Sequence, residues 1–194
     1  MELVLIRHAL PERQRIEGGR ADPPLSSLGL EQARAAARWL HAETIDAVYS
    51  SPMRRARETA EAYAPRGSTA IEFRDGLAEF DRHSDTYIPM EELKATDYAA
   101  WKAFVDGRYN AEVDILAFQD TVVRTLESII AANPGRRIAA FCHGGVINVW
   151  TAHVLGMAPR LFFEPGYTSL HRYLCASSGE RSVVSLNEMA HLRN

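Results

Sequence analysis

The feature that most constrains the fold is a short apolar run that ends in two polar residues. Residues 3–6 read LVLI, a run too short to cross a membrane but long enough for a strand buried on both faces. The run stops at Arg7 and His8, and Pro11 prevents its continuation. Because α/β sheets bind ligands at the carboxyl ends of their central strands, Arg7 and His8 are candidate site residues. The alternative is a solvated strand-end charge beside a satisfied polar residue.

The composition indicates one globular domain. The chain has 194 residues, of which 46% are hydrophobic and 24% charged, and its formal net charge is −3. This length predicts a single domain over residues 1–194, and the charge gives no reason to expect nucleic acid or a membrane as a partner. The first residues lack the basic segment and apolar run of a secretory signal, which predicts a cytoplasmic location. Cys142 and Cys175 lie in apolar segments, which predicts reduced core thiols.

The rest of the chain alternates strand and helix patterns, which is typical of an α/β fold with a parallel sheet. A helix that Ser26 or Ser27 caps, followed by a strand over 46–50, forms a crossover unit with the first strand. The next helix is predicted to have Ser51 as its cap and Pro52 as its first residue. The remaining predicted elements are strands over 71–73, 137–142, 169–174 and 182–187 and helices over 114–132 and 146–156.

Two further segments place polar groups where strands end. Residues 54–57 put three arginines into the first turns of a helix. They form either an anion site, because a helix amino terminus attracts anions, or a solvated charged face. The strand over 137–142 ends in His143, Gly144 and Gly145, and glycine lets backbone amides approach a ligand closely. If these strands are neighbours, two histidines and two arginine-bearing turns meet in one pocket.

Residues 80–112 interrupt the alternation of strands and helices. Asp81, His83 and Asp85 alternate along this segment, but no second group of candidate ligands accompanies them, so we predict no metal site. The segment is either a lid over the site, whose rings would suit a substrate with an apolar part, or a satellite core under a long loop. Its aromatic residues are Tyr87, Tyr98, Trp101, Phe104 and Tyr109.

Taken together, the motifs resemble those of the histidine phosphatase superfamily, which contains the cofactor-dependent phosphoglycerate mutases and many small phosphatases. The family's opening Arg-His-Gly is similar to Arg7-His8-Ala9, and its strand ending in His-Gly is similar to His143-Gly144. Its Ser-Pro-Leu-x-Arg-Ala-x-x-Thr-Ala is similar to residues 51–60, which places the family's arginine on Arg55. A Pro-Leu-Thr-x-x-Gly-x-x-Gln-Ala motif is similar to residues 24–33. Each motif alone is weak, but the set in this order is specific.

The resemblance implies a fold and a chemistry. The fold is a three-layer α/β/α sandwich around a mostly parallel central sheet, as in the phosphoglycerate mutases. The activity is that of a metal-independent phosphatase without a cofactor, in which His8 attacks a small phosphomonoester and forms a phosphohistidine. Arg7, Arg55 and His143 would bind the phosphoryl oxygens, and His143 would also take part in catalysis.

The identity of the general acid and the class of reaction each have alternatives. The family's Leu-x-Glu falls on Glu79, and Asp81 is a rival for the role of general acid. A mutase-like phosphotransferase is the alternative to a phosphatase, which is preferred because mutases of this family usually carry longer insertions. A weakly active phospholigand-binding protein and a homo-oligomer also stay open. A cysteine enzyme built on Cys142 and His143 is disfavoured because adjacent strand residues point to opposite faces.

Overall fold

The fold is built on a six-stranded sheet, in a computed structural model that describes residues 1–64, 69–105 and 114–193. The strands are β1 (Glu2–Arg7), β2 (Gln14–Arg15), β3 (Ala47–Ser50), β4 (Ile71–Phe73), β5 (Thr86–Tyr87), β6 (Arg137–Cys142), β7 (Leu170–Cys175) and β8 (Arg181–Glu188). The helices are α1 (Ser27–Leu40), α2 (Arg54–Tyr63), α3 (Met90–Thr96), α4 (Tyr98–Val105), α5 (Ile115–Ala132) and α6 (Gly144–Val154).

The strand order of the central sheet is β4-β3-β6-β1-β7-β8. The pairs β3–β4, β3–β6 and β1–β6 are parallel, while β7 runs antiparallel to both β1 and β8. Arg7 is in register with Cys142, and Ser50 is in register with Phe141. The carboxyl ends of β1, β3 and β6 therefore meet at one edge of the sheet, which brings the polar residues that follow them together.

Alternate residues of β1 pack on opposite layers of helices. Leu3 and Leu5 belong to the core cluster that contains apolar side chains of α5 and α6. Val4 and Ile6 belong to a second cluster, with side chains of α1 and α2. Because side chains alternate across a strand, this division means that helices cover both faces of the sheet. The predicted three-layer α/β/α sandwich around a mostly parallel sheet is confirmed.

The start of α2 differs from its prediction. The predicted cap Ser51 and first helical residue Pro52 are wrong, because the helix begins at Arg54 with Met53 at the N-cap. The Ser51 amide instead donates to the carbonyl of Phe141 at 2.9 Å and continues the ladder between β3 and β6. Ser51 therefore extends the end of the strand, and Pro52 and Met53 separate it from the first helical residue. At α1, by contrast, the Ser26 side chain accepts from the Gly29 amide and caps the helix.

The predicted insertion at about 80–112 contains β5, α3 and α4. β5 pairs antiparallel with β2, so the insertion is hydrogen-bonded to the loop that follows β1. Its aromatic residues differ in burial. Tyr87 is buried, whereas Tyr98 is exposed and packs on Trp101, with 5.2 Å between the ring centroids. Tyr109 and the side chain of Phe104 lie outside the described residues. That this segment is a lid stays a prediction. The same holds for a single domain over residues 1–194.

The structure also bears on the cysteines and on membrane insertion. Cys142 and Cys175 are free and buried, as the apolar segments around them predicted. Among the helices in the described parts of the chain, none is both long and apolar enough to span a membrane.

A network of ion pairs centred on β7 links the sheet to the chain that follows α1. The Arg172 guanidinium, whose side chain is only 13% exposed, contacts the carboxylates of Glu2, Glu43 and Glu188 at 2.9, 2.5 and 3.1 Å. Arg137 adds a second contact to Glu2 at 2.6 Å. The network joins β1, β6, β7 and β8 to the chain just beyond α1, so it links the sheet to one helical layer.

We expect Arg172→Ala to lower the free energy of unfolding by about 2–3 kcal/mol, because it leaves three partly buried carboxylates facing one another without this cation. Urea unfolding monitored by circular dichroism measures the change. The matched control is Arg124→Ala, which removes an exposed pair with Asp120 and is expected to cost less than about 0.5 kcal/mol. Equal losses in the two variants would contradict a structural role for the network.

Candidate active site

Four cationic or ionisable side chains converge at the carboxyl edge of the sheet. Arg7 ends β1 and His8 follows it, Arg55 lies in the first turn of α2, and His143 is the N-cap of α6. All four are buried, and the ring centroids of His8 and His143 are 5.0 Å apart. The structure thus brings together the residues that the strand-end argument had grouped. Of the three arginines at the start of α2, only Arg55 is buried.

The hydrogen bond of His8 fixes its tautomer. Its Nδ1 lies 2.8 Å from the carbonyl oxygen of Ala9. Because a carbonyl oxygen only accepts, Nδ1 carries the hydrogen and Nε2 keeps a free lone pair. Burial, together with the positive charges of Arg55 and Arg7, holds the pKa of His8 well below its usual value. His8 is therefore a neutral imidazole whose Nε2 is available as a nucleophile at neutral pH.

Each guanidinium of the site is held by one anchor and one aromatic ring. Arg55 Nη2 donates to Asp81 at 2.9 Å, and the Arg55 guanidinium carbon lies 4.6 Å from the centroid of the Tyr87 ring. Arg7 Nη1 donates to the carbonyl of Pro165, and its guanidinium lies 4.0 Å from the Tyr167 ring centroid. These contacts use only part of the donor capacity of either side chain.

Several buried nitrogen atoms of these residues have no hydrogen-bond partner and are available to a ligand. Four buried atoms of these residues have no hydrogen-bond partner: Arg7 Nε, Arg55 Nε, Arg55 Nη1 and His143 Nδ1. Buried polar groups are almost always paired, so a cluster of unpaired ones is typical of a site that binds a polar ligand. Two guanidiniums beside imidazoles suit an oxyanion with several oxygens, such as a phosphoryl group.

The amino terminus of α6 adds to the positive potential of the site. His143 is the N-cap of this helix and makes no side-chain capping bond. A Cβ placed on Gly144 would lie 3.9 Å from Arg7 Nε, which locates that unpaired nitrogen beside the first turn of α6. Helix amino termini carry partial positive charge and free amides, so this position favours an anion.

Glu79 reaches the site from the segment between β4 and β5. Its Oε2 accepts from the Gly145 amide at 2.7 Å and its Oε1 from the Phe80 amide at 3.2 Å. The residue is only 8% exposed. Burial, and then the negative charge of Asp81, raise the pKa of Glu79 to about 7. A carboxyl group with this pKa can give up and regain a proton at neutral pH, as a general acid and base must. A side chain at position 145 would displace the Glu79 carboxylate, so glycine allows Glu79 to lie against this amide.

Asp81, the rival acid, has a different environment. Both of its carboxylate oxygens accept from Arg55 Nη2, at 2.9 and 3.2 Å, and its side chain is 26% exposed. A carboxylate held in this way anchors the guanidinium. Sequence reasoning did not find this anchor, because the contact spans 26 residues and no local pattern marks it.

Three further site residues carried no usable signal in the sequence. The Ser51 hydroxyl lies 2.8 Å from His143 Nε2, but the pattern around Ser51 favoured a helix cap. Tyr87 was one of several aromatic residues in the insertion. Tyr167, whose ring lies 5.7 Å from that of His8, stands alone between two predicted elements. All three contacts depend on how distant segments pack.

Two other candidate residues, Cys142 and His171, are buried in environments that do not suit a catalytic role. Cys142 is buried in the main core cluster, and burial raises the pKa of its thiol, which disfavours the reactive thiolate. His171 is also buried and contacts the Ser169 hydroxyl at 2.8 Å. No group of three or more His, Cys, Asp or Glu side chains is arranged to hold a metal ion within residues 1–64, 69–105 and 114–193.

The buried histidines predict that the protein is labile to acid. Burial lowers the pKa of His8 and His143 well below the usual value, and that of His171 to about 3. Below about pH 6.5 the unfolded chain binds protons at these positions and the folded chain does not, so stability falls as pH falls. We expect a loss of about 1.4 kcal/mol per pH unit for each histidine that stays neutral in the folded state.

Urea unfolding at a series of pH values between about 7 and 4 measures this loss. His171→Asn, which removes one of the three groups, should make the slope shallower by about 1.4 kcal/mol per pH unit between about pH 6 and 4.5. A slope that is unchanged in the variant would contradict the assignment.

The comparisons with known proteins agree with this geometry. Residues 3–188 match the family model of the histidine phosphatase superfamily, branch 1. The chain is 27% identical to a putative phosphoserine phosphatase 2 of Hydrogenobacter thermophilus, over 98% of this chain and 97% of that protein. It is 30% identical to the glucosyl-3-phosphoglycerate phosphatase of Mycolicibacterium vanbaalenii, over 80% and 74% of the two chains.

A solved structure shares the fold along its whole length. The phosphoserine phosphatase of Entamoeba histolytica, in complex with 3-phosphoglyceric acid, is 25% identical to this chain, with a TM-score of 0.78 and 99% of both chains covered. Together with the family model, these matches identify the class of protein. The chain belongs to the histidine phosphatase superfamily.

Proposed function

We propose that this protein is a phosphatase that hydrolyses small phosphomonoesters through a phosphohistidine at His8. The observation that carries the proposal is the position of the neutral His8 among buried, unpaired nitrogens of Arg7, Arg55 and His143. The guanidiniums of Arg7 and Arg55 supply the positive charge that phosphoryl transfer needs, and neutral His143 adds a hydrogen-bond donor. We therefore propose that neither a metal nor a cofactor takes part.

In the first step, His8 Nε2 attacks phosphorus and the bond from phosphorus to the ester oxygen breaks. Glu79, in its protonated form, gives its proton to the departing oxygen, so that an alcohol leaves. Arg7 and Arg55 donate to the phosphoryl oxygens, and His143 donates through Nδ1–H when the Ser51 hydroxyl donates to its Nε2. The charge on the three equatorial oxygens is thereby stabilised by groups that are already in place.

In the second step, water attacks the phosphohistidine. Glu79, now a carboxylate, takes a proton from that water, the bond between nitrogen and phosphorus breaks, and inorganic phosphate leaves. His8 returns to its neutral form and Glu79 to its protonated form, which completes the cycle. The raised pKa of Glu79 supports both roles. In this scheme Asp81 positions Arg55 and is not the acid.

The relatives suggest which phosphomonoesters to test first. Their names give phosphoserine and glucosyl-3-phosphoglycerate as substrates of those proteins, and 3-phosphoglyceric acid as a ligand of one. We propose that this protein acts on metabolites of that size. We also propose that the segment at about 80–112 covers the site, because Tyr87 from this segment lies against Arg55.

The proposal is tested by incubating the protein, in excess EDTA, with p-nitrophenyl phosphate, phosphoserine, both phosphoglycerates and glucosyl-3-phosphoglycerate. Release of inorganic phosphate supports a phosphatase. Interconversion of the phosphoglycerates without phosphate release would instead identify a mutase. Tight binding of inorganic phosphate without turnover of any compound would identify a phospholigand-binding protein.

A further inference from the structure

The Arg7 guanidinium rests on the segment that joins α6 to β7. Tyr167 of this segment is 7% exposed, and its ring centroid lies 4.0 Å from the guanidinium carbon. The same ring lies 5.7 Å from the ring of His8. Two residues earlier, the carbonyl of Pro165 accepts from Arg7 Nη1. Tyr167 thus contacts both the first cation of the site and the proposed nucleophile.

The backbone beside Tyr167 is strained. Thr168 has a φ of 60°, in the left-handed region that a β-branched side chain rarely adopts. Its hydroxyl donates to the Tyr167 carbonyl at 2.6 Å, and the Gly166 amide donates to Asn187 Oδ1 at 2.7 Å. Such conformations persist only where the surrounding structure enforces them, and they concentrate at functional sites. The surrounding contacts therefore hold the segment that carries Tyr167 in one conformation.

The second guanidinium of the site is packed in the same way. Arg55 lies over the ring of Tyr87 at 4.6 Å. Burial raises the pKa of Tyr87. The positive charges of Arg55 and Arg7 and a hydrogen bond with the Tyr167 side chain oppose that rise, so Tyr87 interacts with all three of these side chains. In both pairs the aromatic ring covers a guanidinium face, which leaves the N–H edges for a ligand.

We propose that Tyr167 is a positioning residue for phosphate binding, which holds the Arg7 guanidinium in the orientation that presents Nε to the phosphoryl oxygens. The inference rests on the proposed function in so far as it takes the ligand to be a phosphate group. Arg7 has four rotatable side-chain bonds, and one backbone carbonyl does not fix all of them. The ring immobilises the guanidinium before the ligand arrives, so less freedom is lost on binding.

Tyr167→Leu and Tyr167→Met replace the ring with a smaller apolar side chain. We expect each to weaken the binding of inorganic phosphate about 10- to 30-fold, which is the size of a cation–π contact in a buried site. Tyr167→Phe keeps the ring and is expected to recover most of this loss. Isothermal titration calorimetry with inorganic phosphate measures the binding and does not depend on turnover. In the hydrolysis of p-nitrophenyl phosphate, KM should rise more than kcat falls.

A double-mutant cycle with Arg7→Ala separates positioning from a general structural effect. If Tyr167 acts through Arg7, then Tyr167→Leu costs little further binding in the Arg7→Ala background. The matched control is Tyr63→Leu, the same change at a tyrosine that stacks on His41 outside the site, and it should leave phosphate binding unchanged.

Two results would overturn the inference: losses from Tyr167→Leu and Arg7→Ala that simply add, or a Tyr167→Phe variant as weak as Tyr167→Leu. These results leave the proposed function intact, since the wild-type protein would still hydrolyse its substrates. Failure of the wild-type protein to hydrolyse any phosphomonoester, with phosphate binding and its dependence on Tyr167 preserved, would instead contradict the phosphatase proposal alone.

Discussion

Replacement of His8 by alanine is expected to lower kcat for p-nitrophenyl phosphate by a factor on the order of 10⁴ to 10⁶, the range seen when a catalytic nucleophile is removed. His8 is the residue whose Nε2 carries a free lone pair, because Nδ1 donates to the Ala9 carbonyl. Without this atom the phosphoryl group has no acceptor other than water. Stopped assays of phosphate release in excess EDTA measure the loss.

The intermediate gives a second readout of the same change. A rapid quench of the wild-type protein in base, after mixing with a ³²P-labelled substrate, should trap labelled protein, because phosphohistidine survives base and is lost in acid. His8→Ala should trap none. The matched control is His153→Ala, the same substitution at an exposed histidine, which should keep full activity. Turnover that persists in His8→Ala would mean that another group is the nucleophile.

The second large effect is expected from Glu79→Gln, which keeps the size of the side chain and removes the acidic proton of its carboxyl group. For an alkyl phosphate, kcat/KM should fall about 10²- to 10³-fold, since the leaving alkoxide then departs without a proton. For p-nitrophenyl phosphate, whose leaving group is weakly basic, the fall should be about tenfold or less. Comparing kcat/KM for the two substrates measures the contribution of the acid.

The pH dependence of kcat/KM tests the same role. Burial raises the pKa of Glu79 to about 7, and the first step needs the protonated form. The group is protonated below its pKa, so the wild-type rate for an alkyl phosphate should fall as pH rises through about 7. Glu79→Gln should lack this alkaline limb. The lowered pKa of His8 keeps the nucleophile neutral across this range, so the limb belongs to the acid.

Asp81→Asn is the matched control for the identity of the acid. Asp81 anchors Arg55 through Nη2, so the variant should raise KM. It should keep the alkaline limb but move it to lower pH, because the charge of Asp81 no longer raises the pKa of Glu79. Loss of the limb in Asp81→Asn, with the limb retained in Glu79→Gln, would reverse the two assignments.

The sequence alone determined the fold class, and it predicted which arginines and histidines meet at the carboxyl edge of the sheet. The apolar runs that end at Arg7 and Cys142 are local patterns, and the carboxyl ends of parallel strands meet at one edge wherever those strands pair. The positions of His8, His143 and Arg55 followed from that rule and from the resemblance to one family. The cap of α2 was misjudged at Ser51, because the pairing of that residue with β6 competes with helix formation and involves a strand far along the chain.

Only the tertiary structure decided the environment of each group. That Glu79 is buried against the Gly145 amide, and so is an acid near neutral pH, depends on a contact across 66 residues. That Tyr167 supports Arg7 depends on a contact across 160 residues of chain, and its sequence context resembles an ordinary loop. Local patterns record which residues enter a strand or a helix. Burial, pairing and pKa arise from neighbours that the chain brings together only on folding.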